Sequence, residues 1–371
     1  MTSRKRVLVA FEHAGLRQVS FEEFARIANP LLQWHQTGQK ERKQQPHEYG
    51  NTLSYFRQAL RNGIWVHRSR SDSSLTPGHV IPFTLSSKGN DWRIVAVNPL
   101  GNQRSVADYL SLDGRTLAQE SGAQLIVKKP SRKLRQELVD FTHQFGGYKE
   151  GDGWDGQNKH DDDTFPPAVI DLRSLALTKG EKYARLRRSL NRFERRYGKI
   201  KVREYDPSKD FARVKKIVEK RMQDIATRQP GVNVEEAVRA HLPFLDQQSD
   251  ENTHSLVFYV EDKGREKPIG FSLTERISRH SAGLYAGVAD PAFEDAQYAI
   301  HYHALLHLKE KGYSYCNLGG SETVSLDQFK RLFHPVNRPY KKHVVYYPAP
   351  ARPHAVSYYG HPDGPKTIWL K

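Results

Sequence analysis

Residues 315–335 concentrate side chains able to do chemistry. They read Tyr315-Cys316-Asn317-Leu318-Gly319-Gly320-Ser321-Glu322, then Leu326-Asp327-Gln328-Phe329-Lys330-Arg331-Leu332-Phe333-His334-Pro335. Adjacent glycines let a backbone turn tightly or approach a ligand closely. Asn317, Ser321 and Glu322 bring polar groups to that turn, and Lys330 brings a cation just beyond it. The spacing predicts a short strand, a turn and a short helix. A strand end facing a helix start is where open α/β sheets hold ligands. Taken alone, the same residues also fit a plain strand-to-helix turn with a solvated lysine.

A second concentration lies between Lys182 and Arg203, with ten basic residues and one acid, Glu194. Tyr183, Leu186, Leu190, Phe193 and Tyr197 are spaced 3, 4, 3 and 4, which predicts a helix with one buried stripe. Arg185, Arg188, Arg192, Arg195, Arg196 and Lys199 crowd its other faces. Like charges at these spacings repel by a few tenths of a kcal/mol per pair, roughly, so an anionic partner would stabilise the helix. Arginine suits bidentate phosphate contacts. The pattern does not separate RNA from DNA or lipid, and a merely solvated basic face remains the plain alternative.

The whole chain has the same bias. It has 371 residues, a net charge of +16 and 37% hydrophobic residues, with a pI near 9.7. That length suggests two or three domains, and the charge points to a polyanionic partner. Cys316 is the only cysteine, which excludes an internal disulfide and a cysteine-based zinc site. The triplet Asp161–Asp163 lacks EF-hand spacing, so no metal is expected. The apolar run Val7–Phe11 is too short for a signal-peptide core, and no run approaches the ~20 residues of a membrane helix. A soluble, cytoplasmic protein is expected.

Stepping along the chain, strands are expected at Val7–Phe11, 64–66, 80–85, 94–97 and 124–129. Helices are expected from Ser20 to Trp34, opened by a Ser20/Glu23 capping box, and over 54–61, 106–121 and 131–145. Gly146 to Pro167 is rich in glycine and proline and reads as a loop. Beyond it the expected order is strand 200–205, helices 211–226 (with Ser208 as N-cap) and 234–245, then strands 256–260, 269–273 and 283–288. Helix 297–311, strand 315–318, helix 326–333 and strand 342–347 complete it. The tail from Pro348, with five prolines and two glycines, reads as irregular.

The order β-α-α-β-β-β-α-β-α-β resembles the Gcn5-related N-acyltransferase fold, an analogy of fold and not of function. Coenzyme A users of that fold hold the pyrophosphate on a glycine-rich loop at a helix N-terminus. The corresponding loop, Asp290-Pro291-Ala292-Phe293-Glu294-Asp295-Ala296, has no glycine and three acids. Its carboxylates would repel a pyrophosphate, so no coenzyme A cofactor is expected.

The segment Asn-Leu-Gly-Gly-Ser-Glu…Leu-x-x-Phe-Lys-x-x-Phe-x-Pro resembles the C-terminal motif of Fem-like aminoacyltransferases and the catalytic domain of aminoacyl-phosphatidylglycerol synthases. The stretch Gly153–Leu172 is similar to the linker of the lipid-type branch, and the arginine-rich helix to its tRNA-facing basic helix. The resemblance covers about Gln124 to Tyr347. It implies an α/β (α+β) fold of tandem Gcn5-related N-acyltransferase-like domains, with mixed central sheets flanked by helices. Residues 1–150 would form a degenerate first lobe, 151–168 a linker, 169–348 the catalytic domain and 349–371 a Pro/Gly-rich tail.

The resemblance also implies a reaction. An acceptor amine or hydroxyl attacks the ester carbonyl of an aminoacyl-tRNA, the co-substrate, and a preorganised cation stabilises the developing oxyanion. Lys330 is implied as that cation, with Phe329 buttressing it. Glu322 is the candidate proton acceptor, in competition with the terminal tRNA hydroxyl. Asn317 orients substrate or caps the turn. Gly319, Gly320 and Ser321 would bind substrate, and Tyr285 and Glu275, on adjacent strands, would line the cleft. The acceptor is a soluble small molecule, a peptide, a cell-wall precursor or a lipid. An acyl-CoA N-acyltransferase and a non-catalytic RNA-binding protein are the competing readings.

Overall fold

A computed structural model of the chain describes residues 3–37, 52–69, 78–88, 91–128, 130–131, 133–138, 148–151, 167–175, 180–229, 232–321, 323–336, 343–346, 355–358 and 366–369. The linker residues Trp154 and Asp161–Asp163, positions 139–145 of the helix expected over 131–145, and Glu322 lie outside the described residues.

In chain order the described elements begin with α1 (Ser3–His13), β1 (Arg17–Val19), α2 (Phe21–Thr37), α3 (Leu53–Ala59), β2 (Ile64–Ser69), β3 (His79–Lys88), β4 (Asp91–Val97), β5 (Leu100–Gly101), α4 (Gln103–Ser121), β6 (Gln124–Lys128) and β7 (Tyr148–Gly151). They continue with β8 (Val169–Asp171), α5 (Leu172–Leu175), α6 (Ala184–Tyr197), β9 (Lys201–Glu204), α7 (Pro207–Arg228), α8 (Val234–Leu245), β10 (Thr253–Asp262), β11 (Arg265–Ser278) and β12 (Ser281–Ala289). Last come α9 (Ala296–Glu310), β13 (Tyr315–Asn317), α10 (Val324–Arg331), β14 (His343–Tyr346), β15 (Ala355–Tyr358) and β16 (Lys366–Trp369).

The chain forms two compact units that are not sequential. One comprises Met1–Ala28, Asn62–Asp152 and Lys341–Lys371; the other comprises Asn29–Arg61 and Gly153–Tyr340. Each holds one mixed sheet flanked by helices: β1-β2-β3-β4-β6-β14-β7 in the first, with β5 on β3, and β8-β13-β12-β11-β10-β9 in the second.

The same motif builds both sheets. In the first, β2, β3 and β4 form an antiparallel meander, α4 crosses over, and β6 returns parallel to β4. In the second, β10, β11 and β12 form the meander, α9 crosses over, and β13 returns parallel to β12. An antiparallel strand then flanks the returning one, β14 beside β6 and β8 beside β13. This repeat is the tandem acyltransferase-like architecture.

Three expectations change. Val7–Phe11 is helical, not a strand: Val7, Ala10 and Phe11 are the buried positions, and their i, i+3, i+4 spacing puts them on one helix face. The strand at 343–346 does not close the second sheet. It pairs with β6 and β7, because β8 already occupies the outer edge of β13. The tail is not wholly irregular, since β15 and β16 pair as an antiparallel ribbon.

One expected cap forms as read and one shifts. Ser20 Oγ accepts from Glu23 N at 3.1 Å, as the capping box requires. At α7 the N-cap is Asp206 rather than Ser208, and its Oδ1 accepts from Ser208 N at 3.0 Å. Pro207 then occupies the first helical turn, where its missing N–H costs nothing. The core of the second unit joins Leu186 and Phe193 of α6, Ile300, Ala304 and Leu308 of α9, and Leu256 and Phe258 of β10.

Candidate functional site

The two sheets differ where the parallel strand returns. β4 and β6 stay zipped from Arg93↔Gln124 to Val97↔Lys128. β12 and β13 pair only at Ser281↔Tyr315, Ala282↔Cys316 and Gly283↔Asn317, and β12 then runs on to Ala289 without a β13 partner. Two local features open this split. Tyr285 is the extra residue of a bulge in β12, where the register passes from Leu273↔Ala286 to Thr274↔Leu284, and a bulge bends and twists its strand. On the other side β13 stops in a turn. Asn317 Oδ1 accepts from Gly319 N at 2.8 Å, and Gly319 adopts φ +71°, a conformation glycine takes without a Cβ penalty.

Lys330 closes that turn. Thr323 Oγ1 caps α10 by accepting from Leu326 N at 3.2 Å, and Lys330 lies in the last turn of the helix, where its charge complements the dipole. Its Nζ donates to the Gly319 carbonyl oxygen at 3.3 Å and also to the Gly320 carbonyl. Only 8% of the residue is exposed. Lys330 is therefore a buried cation held at the mouth of the split, not a solvated helix charge. His334, at φ +53°, ends the segment, and its N–H donates to the Arg331 carbonyl at 3.0 Å.

Of the other sequence-derived residues, Asn317 and Ser321 come together with Lys330. Ser321 is fully buried, and its Oγ has no hydrogen-bond partner among the described residues. Phe329 packs edge-on against His301 with ring centroids 4.8 Å apart, and also against Tyr298 and Phe333. Tyr285 is buried and lies along its own strand, with its hydroxyl 2.6 Å from where a Cβ on Gly283 would stand. Glu275 does not line a cleft. Its Oε1 accepts from Leu53 N at 3.0 Å and its Oε2 from Ser54 N at 2.8 Å, so its carboxylate caps α3 from across the sheet. Burial pushes the Glu275 carboxyl up, against these hydrogen bonds.

His301 belongs to the site, and the sequence does little to single it out. His301 is buried on α9, and burial lowers its pKa to about 4, with the charges of Lys330 and Arg221 adding to the effect. Arg221 is itself half-buried and paired with Asp224 at 2.9 Å. The Gln297/His301 spacing of four on one helix was the only signal in the sequence.

The arginine helix divides into two sets. Arg192 binds Asp295, with Nη2 3.0 Å from Oδ1, and Arg196 binds Glu294. Among the described residues Arg188 and Arg195 meet carbonyls of their own helix, Ala184 O and Asn191 O, each at 3.3 Å, and no acid. Arg185 and Lys199 are exposed and have no acidic partner among the described residues. A surface hollow of about 570 Å³ opens on Arg188, Asn191, Arg192, Glu194 and Arg195.

The loop before α9 is closed on itself. Ala292 N donates to Asp290 Oδ1, Phe293 N to the Asp290 carbonyl, Glu294 N to the Tyr197 hydroxyl and Ala296 N to the Phe293 carbonyl. Those N–H groups are engaged within the protein. Among the described residues no group of three or more His, Cys, Asp or Glu could hold a metal ion, and no helix is long and apolar enough to cross a membrane.

The sequence matches the family described as phosphatidylglycerol lysyltransferase, C-terminal, over residues 65–342. No curated protein matches it. Among solved structures, a conserved protein of unknown function from Bacteroides thetaiotaomicron is 14% identical, with a TM-score of 0.59 over 89% of this chain and 98% of that one. The C-terminal domain of a putative lysylphosphatidylglycerol synthetase from Agrobacterium fabrum is 16% identical, with a TM-score of 0.53 over 88% and 92%. FemX is 11% identical, with a TM-score of 0.55 over 90% and 97%. At these identities the likeness is one of fold.

Proposed function

Because the chain belongs to the phosphatidylglycerol lysyltransferase C-terminal family, we propose that it moves an aminoacyl group from a charged tRNA to a hydroxyl or amine acceptor. The observation that carries this reading is Lys330, a buried cation where β12 and β13 part. An ester carbonyl in that split would develop its negative charge against a fixed ammonium in a site with little water, where a preorganised cation is most effective. Asn317 and the Gly319–Gly320 turn hold the lysine in place, and Phe329 fixes the helix that carries it. Glu322 and the terminal ribose hydroxyl are the sequence-derived proton acceptors.

The arginine helix is the proposed tRNA surface, with Arg185, Arg188, Arg195 and Lys199 as its available cations. An acyl-CoA donor is disfavoured by the loop at Asp290–Ala296. The N–H groups of Ala292, Phe293, Glu294 and Ala296 are engaged internally, and the carboxylates of Glu294 and Asp295, held by Arg196 and Arg192, occupy the loop that would have to receive a pyrophosphate. A lipid hydroxyl is the first acceptor to test, since the family's description names phosphatidylglycerol.

The test is to incubate the protein with a mixed pool of radiolabelled aminoacyl-tRNAs and phosphatidylglycerol vesicles, a peptide mixture or small amines. Label should leave the tRNA and appear in one acceptor, and ribonuclease treatment of the pool should abolish this. Undiminished transfer after ribonuclease, or transfer from acetyl-CoA instead, would overturn the reading.

A further inference from the structure

We propose that His301 accepts the proton of the attacking group, through Nε2, at the Lys330 site. The inference rests on the aminoacyl-transfer reading above and assigns the general base within it.

His301 Nδ1 lies 3.0 Å from the carbonyl oxygen of Gln297, one turn earlier on α9. The tautomer with the hydrogen on Nδ1 donates to that carbonyl and presents Nε2 as a lone pair, and it is the form the proposal uses. The Gln297 side chain is fixed as well, since its Nε2 donates to the Gly287 carbonyl at 2.8 Å and its Oε1 accepts from Ala289 N at 3.2 Å. Nδ1 lies within reach of both Gln297 groups, the carbonyl oxygen and the side-chain Nε2 at 3.1 Å, and Nε2 of His301 has no hydrogen-bond partner among the described residues.

That lone pair lies beside the split. A Cβ on Gly287 would stand 2.6 Å from His301 Cε1 and 2.8 Å from Nε2, so only glycine at this position admits the ring. Gly287 lies beyond the last β12–β13 pair, Gly283↔Asn317. One consecutive pair of residues sets both halves of the site. Phe329 packs edge-on against the His301 ring at 4.8 Å, and Lys330 delivers the ammonium. The charged groups that act on His301 are Lys330 of α10 and Arg221 of α7, both cationic. Burial first, and these charges after it, keep the imidazole neutral, the form a base requires.

The acceptor's oxygen or nitrogen forms a bond to the ester carbonyl carbon, and its proton moves to His301 Nε2. The carbonyl oxygen carries the negative charge against Lys330. The bond from carbon to the ribose oxygen then breaks, and His301 returns the proton to that oxygen. No oxidant, reductant or further reactant is needed.

The test compares wild type with His301→Asn, Gly287→Ala and Glu322→Gln in single-turnover transfer from radiolabelled aminoacyl-tRNA to phosphatidylglycerol vesicles, peptides and small amines. tRNA affinity and the melting transition are measured alongside. His301→Asn should melt cooperatively, bind tRNA within about twofold of wild type, and transfer roughly 10²–10⁴ times more slowly. Its rate should climb tenfold per pH unit between pH 6 and 8, where wild type stays flat. Gly287→Ala, which keeps the imidazole but crowds it, should slow transfer while leaving tRNA affinity unchanged. If wild type transfers and His301→Asn does so equally fast with a flat profile, the assignment of His301 is wrong and the transferase reading stands. If only Glu322→Gln shows the pH-dependent loss, the base is Glu322. If wild type transfers to none of these acceptors, both readings fall.

Discussion

Lys330 Nζ lies 3.3 Å from the Gly319 carbonyl oxygen and also donates to that of Gly320. The glycine pair and the lysine, eleven residues apart, thus form one unit in which the turn orients the cation and the cation holds the turn. Lys330→Ala should reduce single-turnover transfer by roughly 10²–10³, the effect of losing one oxyanion partner. tRNA affinity should change by less than about twofold, because the arginine helix is untouched. Lys330→Met, which keeps most of the stem, should still cost about 1–3 kcal/mol of stability, since a buried carbonyl loses its donor. Lys330→Arg should not restore rate, because a planar guanidinium cannot replace a compact ammonium. Denaturant unfolding beside the transfer assay separates the two effects.

Gly319 adopts φ +71°, where a Cβ costs about 1–2 kcal/mol. Gly319→Ala should therefore destabilise the second unit by about that amount. It should also slow transfer with Lys330 intact, because the carbonyl that seats the ammonium moves. A variant that loses stability but keeps the wild-type rate would separate the turn from the chemistry.

Arg192 and Arg196 already face Asp295 and Glu294, whereas Arg188 and Arg195 face no acid among the described residues. A polyanion should therefore meet the second pair directly and compete with the loop for the first. Arg188→Ala with Arg195→Ala should weaken tRNA binding and flatten the slope of log K against log salt by roughly 1.5, at about 0.7–0.9 per phosphate contact. Asp295→Asn with Glu294→Gln should strengthen binding and steepen the slope. Binding measured from low to high salt checks both, and equal effects of the two arginine pairs would refute the division.

How legible the fold was depended on whether a pattern was local. The 3-4-3-4 stripe from Tyr183 to Tyr197 specified α6, and Leu186 and Phe193 are buried as it required. Val7–Phe11 misled because five consecutive apolar residues carry no period; burial of Val7, Ala10 and Phe11 on one face depended on α4 and the sheet beneath. β14 was recognisable as a strand, but no local feature names its neighbours. By sequence alone the acids of the loop before α9 imply repulsion of a pyrophosphate. That their partners were Arg192 and Arg196, about a hundred residues away, depended on the packing of α6 beside α9. His301 escaped notice for the same reason, since Gly287, Gln297 and Phe329 meet it from three elements. Glu275 looked like a cleft residue because strand alternation gives a face but not what covers it, and α3 covers it.

In the first unit, His67, His79 and Ser105 form a hydrogen-bonded chain. His67 Nδ1 lies 3.0 Å from His79 Nε2, and His79 Nδ1 lies 2.7 Å from Ser105 Oγ. Tyr109 stacks on His67 at 3.7 Å. Burial, with His67 alongside, lowers the His79 pKa to about 4 from an ordinary 6.5. The unfolded chain therefore takes up the proton first on acidification. The contribution of His79 is fully present above pH 6.5 and is lost as the pH falls through 4. While both forms are present the slope reaches about 1.4 kcal/mol per pH unit. Urea midpoints should fall between pH 7 and pH 5 in wild type, and fall less in His79→Asn, which has no imidazole to protonate. Equal slopes in the two proteins would place the acid sensitivity elsewhere.

Glu275 provides the opposite sign. Its folded pKa is raised, by burial first, while the N–H groups of Leu53 and Ser54 hold it down in part. Its contribution to stability is present below the unfolded value, near 4.5, and declines as pH rises through the folded value. Glu275→Gln removes the charge but can accept only one of the two N–H bonds. The orphaned donor on α3 should cost about 1–3 kcal/mol near pH 5, and the gap to wild type should narrow as pH rises, since only wild type must bury a carboxylate there. Amide hydrogen exchange over residues 53–59 should quicken in the variant before the rest of the unit responds. Transfer, measured at a temperature where the variant is folded, should stay within about threefold of wild type. A loss comparable to that of Lys330→Ala would return Glu275 to the substrate cleft and contradict its role as the cap of α3.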